Sequence, residues 1–147
     1  MTDRDPAVPP KVRKATGRLP GLLGIGWEDA GRGLVRARLK VGEQHMAHNG
    51  YLHAGAVVTL ADSACGFGCA RALPDGARSF TTLELKSNFL GTAGEGDDIA
   101  CDASLTHGGR TTQVWDAKVR NETTGKTIAL FRCTQMILYP QAAKPGT

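Results

Sequence analysis

The longest pattern in the chain is a run of small and apolar residues from about Leu52 to Leu73. Its apolar side chains recur at helical spacing, and alanine and glycine fill most of the other positions. Leu73-Pro74-Asp75-Gly76 then ends the run. A helix that is apolar or small on all sides is predicted to lie enclosed by other structure rather than on a surface.

Strand-like patterns flank this helix. Before it, the runs from Gly24 to Glu28 and from Leu34 to Leu39 surround a glycine-rich turn and predict a hairpin. After it, short turns join four further runs, which predict an antiparallel meander: Ser79 to Leu90, Ile99 to Thr106, Thr112 to Asn121 and Thr127 to Tyr139. Together these elements predict an α+β domain in which an antiparallel sheet of about six strands wraps around one long central helix.

The length of 147 residues predicts a single domain. Residues 1–18 are charged and rich in proline and are predicted to be a flexible tail, residues 19–140 the domain, and residues 141–147 a C-terminal tail. The N-terminus lacks the apolar core of a secretory signal, and no uncharged apolar run reaches the roughly 20 residues of a membrane span. We therefore expect a cytoplasmic protein with no membrane partner.

Composition argues against a nucleic-acid partner. The net charge is +4, but the basic residues are scattered, and an aromatic content of 5% is low for a base-stacking surface. A small ligand that carries phosphate suits this distribution better. The cysteines are too few for a disulfide framework and are expected to be core residues in a reducing compartment; they are Cys65, Cys69, Cys101 and Cys133.

One carboxylate, Asp62, lies inside the predicted helix, and no other acid occurs between Glu43 and Asp75. A buried carboxylate must be ion-paired, hydrogen-bonded or take part in a reaction, because its desolvation otherwise costs several kcal/mol or raises its pKa. Asp62 is therefore a candidate for chemistry. The alternative is a structural carboxylate bonded to Thr59, to Ser63 or to a partner chain.

Three motifs together resemble one enzyme family. They are NGYLHAGA at residues 49–56, LAD at 60–62 and LELKSNFL at 83–90. Over about Leu19 to Tyr139, the chain resembles the hotdog-fold acyl-CoA thioesterases of the phenylacetate-degradation (PaaI-like) group. The resemblance implies the hotdog fold and hydrolysis of the thioester between an acyl group and coenzyme A. It also implies no metal or organic cofactor, and a site at a subunit interface, usually in a dimer of dimers.

Thioester hydrolysis needs a base or nucleophile at the carbonyl carbon and hydrogen-bond donors at the developing oxyanion. Asp62 is placed for the first role, and both general base and nucleophile remain open. The backbone N–H groups near His53, Ala54 and Gly55 are candidates for the second, because a helix start has unpaired amides and the positive end of the dipole. Ala54 replaces a glycine that is common in relatives, which keeps the amide. His53 either acts at the thioester or orients the loop and caps the helix.

The spacing of these groups predicts a shared site. Ala54 and Asp62 are eight residues apart, which separates them by about 12 Å along one helix axis. That distance is too long for both to engage one carbonyl group. Two antiparallel helices in a homodimer would bring the Asp62 of each chain to the helix start of the other.

The resemblance implies further site residues and shows where this chain departs from its relatives. Thr82 falls where relatives carry a serine or threonine that helps to place the water. Relatives often carry an amide side chain where this chain has Ala47; the nearest polar substitutes are His48 and Asn49, and either could point inward. Some relatives have a hydroxyl residue one turn after the acid, where this chain has Gly66.

The nucleotide end of coenzyme A needs partners for its phosphates, and Lys86, Asn88 and Arg110 are the candidates. Ordinary strand-edge and turn charges would explain these three residues equally well.

Other functions fit the sequence less well. The H-x2-H-x4-H spacing of His45, His48 and His53 matches no strong zinc pattern, so no metal is expected. The chain has no G-x-S-x-G elbow of an α/β-hydrolase. A hotdog dehydratase would carry its catalytic His and Asp close together on the segment that enters the helix. In this chain His53 and Asp62 are nine residues apart, and the acid lies in the middle of the helix. The alternative from another class is a non-catalytic acyl-CoA-binding or sensing protein on the same fold.

Overall fold

The computed structural model describes residues 13–28, 31–142 and 145–146. That part of the chain forms, in order, β1 (Arg13–Lys14), α1 (Arg18–Leu22), β2 (Gly26–Trp27), β3 (Leu34–Lys40), α2 (Ala54–Arg71), β4 (Ser79–Phe89), β5 (Asp98–Gly108), β6 (Thr112–Asn121) and β7 (Thr127–Leu138). Residues 1–12, which make up most of the predicted N-terminal tail, lie outside the described residues. The next two residues of that tail form β1, which pairs with β2 and is the seventh strand of the sheet.

The strands form one antiparallel sheet in the order β1-β2-β3-β5-β6-β7-β4. The predicted hairpin is confirmed, since β2 pairs with β3 and places Trp27 opposite Ala37. The predicted four-strand meander is wrong in one connection. Residues 90–97 do not form a hairpin turn; they cross the sheet, so that β5 pairs with β3 while β4 pairs with β7 at the far edge.

Helix α2 lies within the predicted range and packs across the middle of the sheet against β3, β5 and β6. The helix lies close to the sheet at Gly68, where an added Cβ would stand 2.5 Å from the ring of Trp115. Trp115 is fully buried. The small residues of α2 therefore allow a close contact between helix and sheet, and the predicted hotdog layout, a sheet wrapped around a central helix, is confirmed.

Buried amides and thiols complete this core. Trp115 Nε1 donates to Gln113 Oε1 and Gln113 Nε2 donates to the carbonyl of Ala72, both at 2.8 Å, so the end of α2 is tied to β6. All four cysteines are buried free thiols. No helix in the described ranges has the length and hydropathy of a membrane-spanning segment.

Strand β4 is an edge strand. Within the described residues, β7 pairs with one of its sides and no strand pairs with the other. Leu85 and Phe89 lie opposite the buried residues Cys133 and Ala129, so they face the same side of the sheet as α2. They nevertheless remain 42% and 48% exposed. One chain thus leaves a long backbone edge and an apolar strip beside α2 uncovered.

Candidate active site

His53 caps the start of α2. Its backbone is extended, and its Nδ1 accepts a hydrogen bond of 2.8 Å from the N–H of Gly55. Because Nδ1 is the acceptor, the neutral imidazole carries its proton on Nε2, which is then free to donate. The capping role considered for His53 is therefore present in the structure, and a role at the thioester stays a prediction.

The other amides of the first turn divide into used and unused donors. The N–H groups of Ala56 and Val57 both point to the carbonyl of His53, at 3.0 and 3.3 Å. Gly55 is engaged with the imidazole, whereas the N–H of Ala54 has no acceptor among the described residues. Ala54 and Gly55 are both exposed. Of the predicted oxyanion donors, Ala54 is thus the one whose amide is available without rearrangement.

The loop before α2 bends tightly at its tip. Ala47 N–H donates to the carbonyl of Tyr51 at 2.7 Å, and Gly50, at φ 84°, donates to the carbonyl of Ala47. Asn49 Oδ1 accepts from the N–H of Tyr51 at 3.2 Å. His48 and Asn49 are both exposed. Within one subunit, the amide oxygen of Asn49 therefore stabilises its own turn at the surface.

His45 is buried and ties this loop to the end of α1. Its Nδ1 accepts from the N–H of Gly42 at 2.9 Å, and its Nε2 lies 2.7 Å from the carbonyl of Leu23, to which it donates. The carbonyl of His45 accepts from the N–H of His53 at 2.9 Å. His45 therefore holds the entry to α2 in place, and both of its ring nitrogens are used.

Asp62 is half-buried on α2, and its Oδ1 is fully buried with no hydrogen-bond partner among the described residues. Desolvation by burial raises the pKa of Asp62 above its ordinary value. The hydroxyl of Thr59, a local partner considered for a structural Asp62, donates to the carbonyl of Gly55 instead, at 2.8 Å. Most buried polar atoms have a hydrogen-bond partner, so Asp62 Oδ1 is an exception that keeps its capacity to accept a hydrogen bond.

The flank of α2 that carries Asp62 faces β4. Gly66 lies one turn after Asp62 on the same flank, and a Cβ added there would stand 3.3 Å from Cζ of Phe80 in β4. Thr82 follows Phe80 by two residues on the same face of the strand. Asp62 and Thr82 thus lie on two elements that contact each other, and the surface boundary between α2 and β4 that carries Asp62, Gly66, Phe80 and Thr82 is called the groove below.

Gln135 holds Thr82 in place and was not foreseen as a site residue. It is fully buried, and its Oε1 accepts a 2.8 Å hydrogen bond from Thr82 Oγ1. Because the Thr82 proton is donated to Gln135, the hydroxyl oxygen presents only lone pairs to the groove. The alternation of β7, which buries Phe131, Cys133 and Ile137, is the signal that would have placed this amide inside.

The predicted coenzyme A contacts lie elsewhere on the subunit. Lys86 and Asn88 alternate with the inward residues of β4, so they project from the other face of the sheet, where Lys86 lies opposite Arg132. Arg110 lies in the turn between β5 and β6, and its guanidinium is 5.8 Å from the ring centroid of Tyr139. One subunit therefore does not bring these three side chains together with the Asp62 flank.

Known proteins share this sequence and fold. Residues 49–128 match the model of the Thioesterase superfamily. The chain is 33% identical over 116 residues to the 1,4-dihydroxy-2-naphthoyl-CoA hydrolase of Listeria monocytogenes. The aligned part covers 79% of this chain and 92% of that protein. It is similar in structure to the PaaI protein of the E. coli phenylacetic acid degradation operon, with TM-score 0.73 and 26% identity over 80% of this chain and 81% of that one. A mutant thioesterase from Staphylococcus aureus gives TM-score 0.75 and 29% identity over 80% and 95%. The chain belongs to the Thioesterase superfamily and is a thioester hydrolase with the hotdog fold.

Proposed function

We propose that the protein hydrolyses acyl-CoA to a carboxylic acid and coenzyme A in a site shared by two subunits. The observation that carries this proposal is the unpartnered Oδ1 of Asp62 on the flank of α2 that faces the uncovered strand β4. The substrate class is supported by the similarity to a naphthoyl-CoA hydrolase. Lys86, Asn88 and Arg110 remain the candidates for the nucleotide end of coenzyme A, reached across the assembly.

The shared site follows from the length of the helix. Ala54 and Asp62 belong to one continuous helix, so about 12 Å of helix axis separates them within a chain. The free edge of β4 can pair antiparallel with a second copy of β4 across a two-fold axis, which would continue the sheet through both chains. That pairing covers Leu85 and Phe89 and sets two α2 helices side by side. A dimer of dimers is the proposed full assembly.

In the proposed mechanism Asp62 acts as a general base. It takes a proton from water while the water oxygen bonds to the thioester carbon, and Thr82 Oγ1 accepts a hydrogen bond from the other O–H of that water, whose proton stays on the oxygen. The N–H of Ala54 in the partner subunit holds the oxyanion, with His53 Nε2–H as a second donor. The carbon–sulfur bond then breaks, and Asp62 returns the proton to the sulfur of coenzyme A. A raised pKa suits this role because a base must also be able to keep the proton.

Two substitutions each remove one of the two proposed groups of the site, the base or the oxyanion donor. Asp62→Asn removes the base with little change in shape. Ala54→Pro removes the free N–H, and the fold tolerates proline there because Ala54 is the first helical residue and His53 has ψ 131°. Each variant alone is expected to lose free-thiol release from a panel of aryl and short, medium and long acyl-CoAs. An active Asp62→Asn variant would contradict the catalytic assignment.

Mixing the two variants tests the shared site. After co-refolding, a mixed dimer contains one site with both groups intact and one with neither. With random pairing about a quarter of the wild-type activity should return. No recovery in verified mixed dimers would place both groups of each site in one chain. An acyl-Asp62 adduct, found by mass spectrometry of a quenched reaction, would instead make Asp62 the nucleophile.

A further inference from the structure

A cavity of about 530 Å³ lies on the other flank of α2. Phe67 follows Gly66 by one residue, so it points about 100° away from the flank that faces β4. The Phe67 ring instead stacks on Trp27 of β2, with centroids 4.8 Å apart and planes 9° apart. Residues 13–18, Pro20, Glu28 and Arg71 complete the lining. None of the predicted catalytic residues belongs to it.

An aromatic wall forms one side of this cavity. Trp27 and Phe67 are each half-buried, so part of their rings remains open to the cavity. The guanidinium of Arg71 lies over the Phe67 ring, 5.5 Å from its centroid. Because the two rings stack on each other and Arg71 lies over Phe67, the ring edges and the outer face of Trp27 are what a planar ring can contact, edge-to-face or offset. The stack also holds Arg71 at the cavity rather than free in solvent.

The charge of the lining is positive. Among the described residues of the lining the acid is Glu28, whose fully buried side chain pairs with Arg36 at 3.3 Å and with Arg38, so its negative charge is compensated within the protein. Three basic residues of the lining, Lys14, Arg18 and Arg71, are exposed. The open side of the cavity therefore offers cations to a ligand, and arginine in particular matches carboxylate and phosphate groups.

Arg18 has a strained backbone at this cavity. Its φ is 53°, and it is the one non-glycine residue with positive φ in the described ranges. A left-handed conformation costs a non-glycine residue roughly 1–2 kcal/mol. Residues held in such conformations cluster at active sites and ligand clamps, and Arg18 lines this cavity.

We propose that this cavity binds a small organic anion built on a planar aromatic ring. The ring lies against Trp27 and Phe67, and the anionic group meets Arg18 and Arg71. The volume is within the range of small-molecule sites. An aromatic carboxylate and a nucleotide monophosphate share this chemistry. The site is separate from the proposed Asp62 site and does not depend on it.

Isothermal titration calorimetry on the full-length protein tests this proposal. The probes are 2-naphthoate and AMP, with the neutral analogues 2-naphthalenemethanol and adenosine and the non-aromatic anion cyclohexanecarboxylate. We expect saturable binding of at least one aromatic anion, about tenfold tighter than its neutral analogue, because a charge-assisted hydrogen bond contributes about that much. Binding of 2-naphthoate alone identifies the carboxylate class, and binding of AMP alone identifies the nucleotide class.

Four variants locate the site. Arg71→Gln and Arg18→Gly should each weaken binding about tenfold, and Arg18→Gly relieves backbone strain, so its loss of affinity cannot be assigned to unfolding. Arg120→Gln is the matched control, since it removes an exposed arginine of β6 that lies outside the cavity. Asp62→Asn should bind as wild type does. The proposal is overturned by no saturable binding at millimolar probe, by equal binding of the neutral analogues, or by binding that Asp62→Asn abolishes and Arg71→Gln leaves intact.

Discussion

Gly66 and Phe80 meet across the interface between α2 and β4, where a Cβ on Gly66 would stand 3.3 Å from Phe80 Cζ. Two residues further along the same helix, a Cβ on Gly68 would stand 2.5 Å from the Trp115 ring. The first neighbour is a half-buried ring beside an open groove, and the second is a fully buried ring in the core. The two glycines therefore have different tolerances for a methyl group.

Gly68→Ala is expected to destabilise the protein by about 2–3 kcal/mol, because Trp115 has no space into which to move. Gly66→Ala is expected to be close to neutral, since a gain in helix propensity of up to about 1 kcal/mol offsets a small shift of Phe80. Urea unfolding of both variants measures the difference. Equal losses at the two positions would contradict the assignment of Gly66 to the groove.

Asp62 makes stability depend on pH with a defined sign. Burial raises the pKa of Asp62, so the folded chain holds this proton more tightly than the unfolded chain, where aspartate titrates near pH 3.9. The resulting stability is fully present below about pH 3.9 and is lost as pH rises through the folded pKa. We expect Asp62→Asn to melt at a higher temperature than wild type at pH 7 and near the same temperature at about pH 3. A melting difference that stays constant with pH would be evidence against a raised pKa.

His53 has a capping role that can be separated from a catalytic one. His53→Ala removes the acceptor for the N–H of Gly55 and should cost about 1 kcal/mol. His53→Asn keeps a preferred capping side chain, so most of that stability should return. Turnover of acyl-CoA should nevertheless remain low in His53→Asn, because the Nε2–H donor is gone. Recovery of both stability and kcat would make His53 a cap only.

Thr82 and Gln135 form a buried pair whose disruption should be visible in stability as well as in rate. Thr82→Val leaves Gln135 Oε1 buried without a donor, which should cost about 1–3 kcal/mol. Thr82→Ser retains the hydroxyl and serves as the control. Urea unfolding together with kcat measures both effects. A Thr82→Val variant that is as stable as Thr82→Ser would show that Gln135 finds another donor.

Local patterns in the sequence predicted the elements well because periodicity and turn residues are local properties. The helix, the hairpin and the limits of the strands from Ser79 onward followed from spacing and from glycine-rich turns. The position of β4 did not, because its pairing with β7 connects residues about fifty positions apart, such as Thr82 and Gln135. Nothing in the local pattern of residues 79–97 distinguishes a hairpin partner from a distant one.

The candidate site also has parts that the sequence predicts and parts that depend on the three-dimensional structure. Asp62 was identifiable because it is a lone acid in a helix of small residues, and the family motifs supported it. Its unpartnered oxygen, the use of the Gly55 amide by His53 and the hydrogen bond from Thr82 to Gln135 depend on three-dimensional packing. The aromatic and basic cavity brings together residues 13–28 with Phe67 and Arg71, and these segments have no sequence signal in common.

The unpaired edge of β4 also makes the behaviour of the protein depend on its concentration. An isolated subunit presents eleven residues of open backbone together with three exposed apolar side chains, Leu83, Leu85 and Phe89, and any extended chain can pair with such a template. If the proposed pairing of β4 with a second β4 completes the site, specific activity should fall on dilution, as the paired edges separate. Rapid overproduction should favour pairing of the β4 edge with unfolded chains. The yield of active enzyme will therefore depend on how quickly each newly folded β4 edge pairs with the β4 edge of another folded subunit.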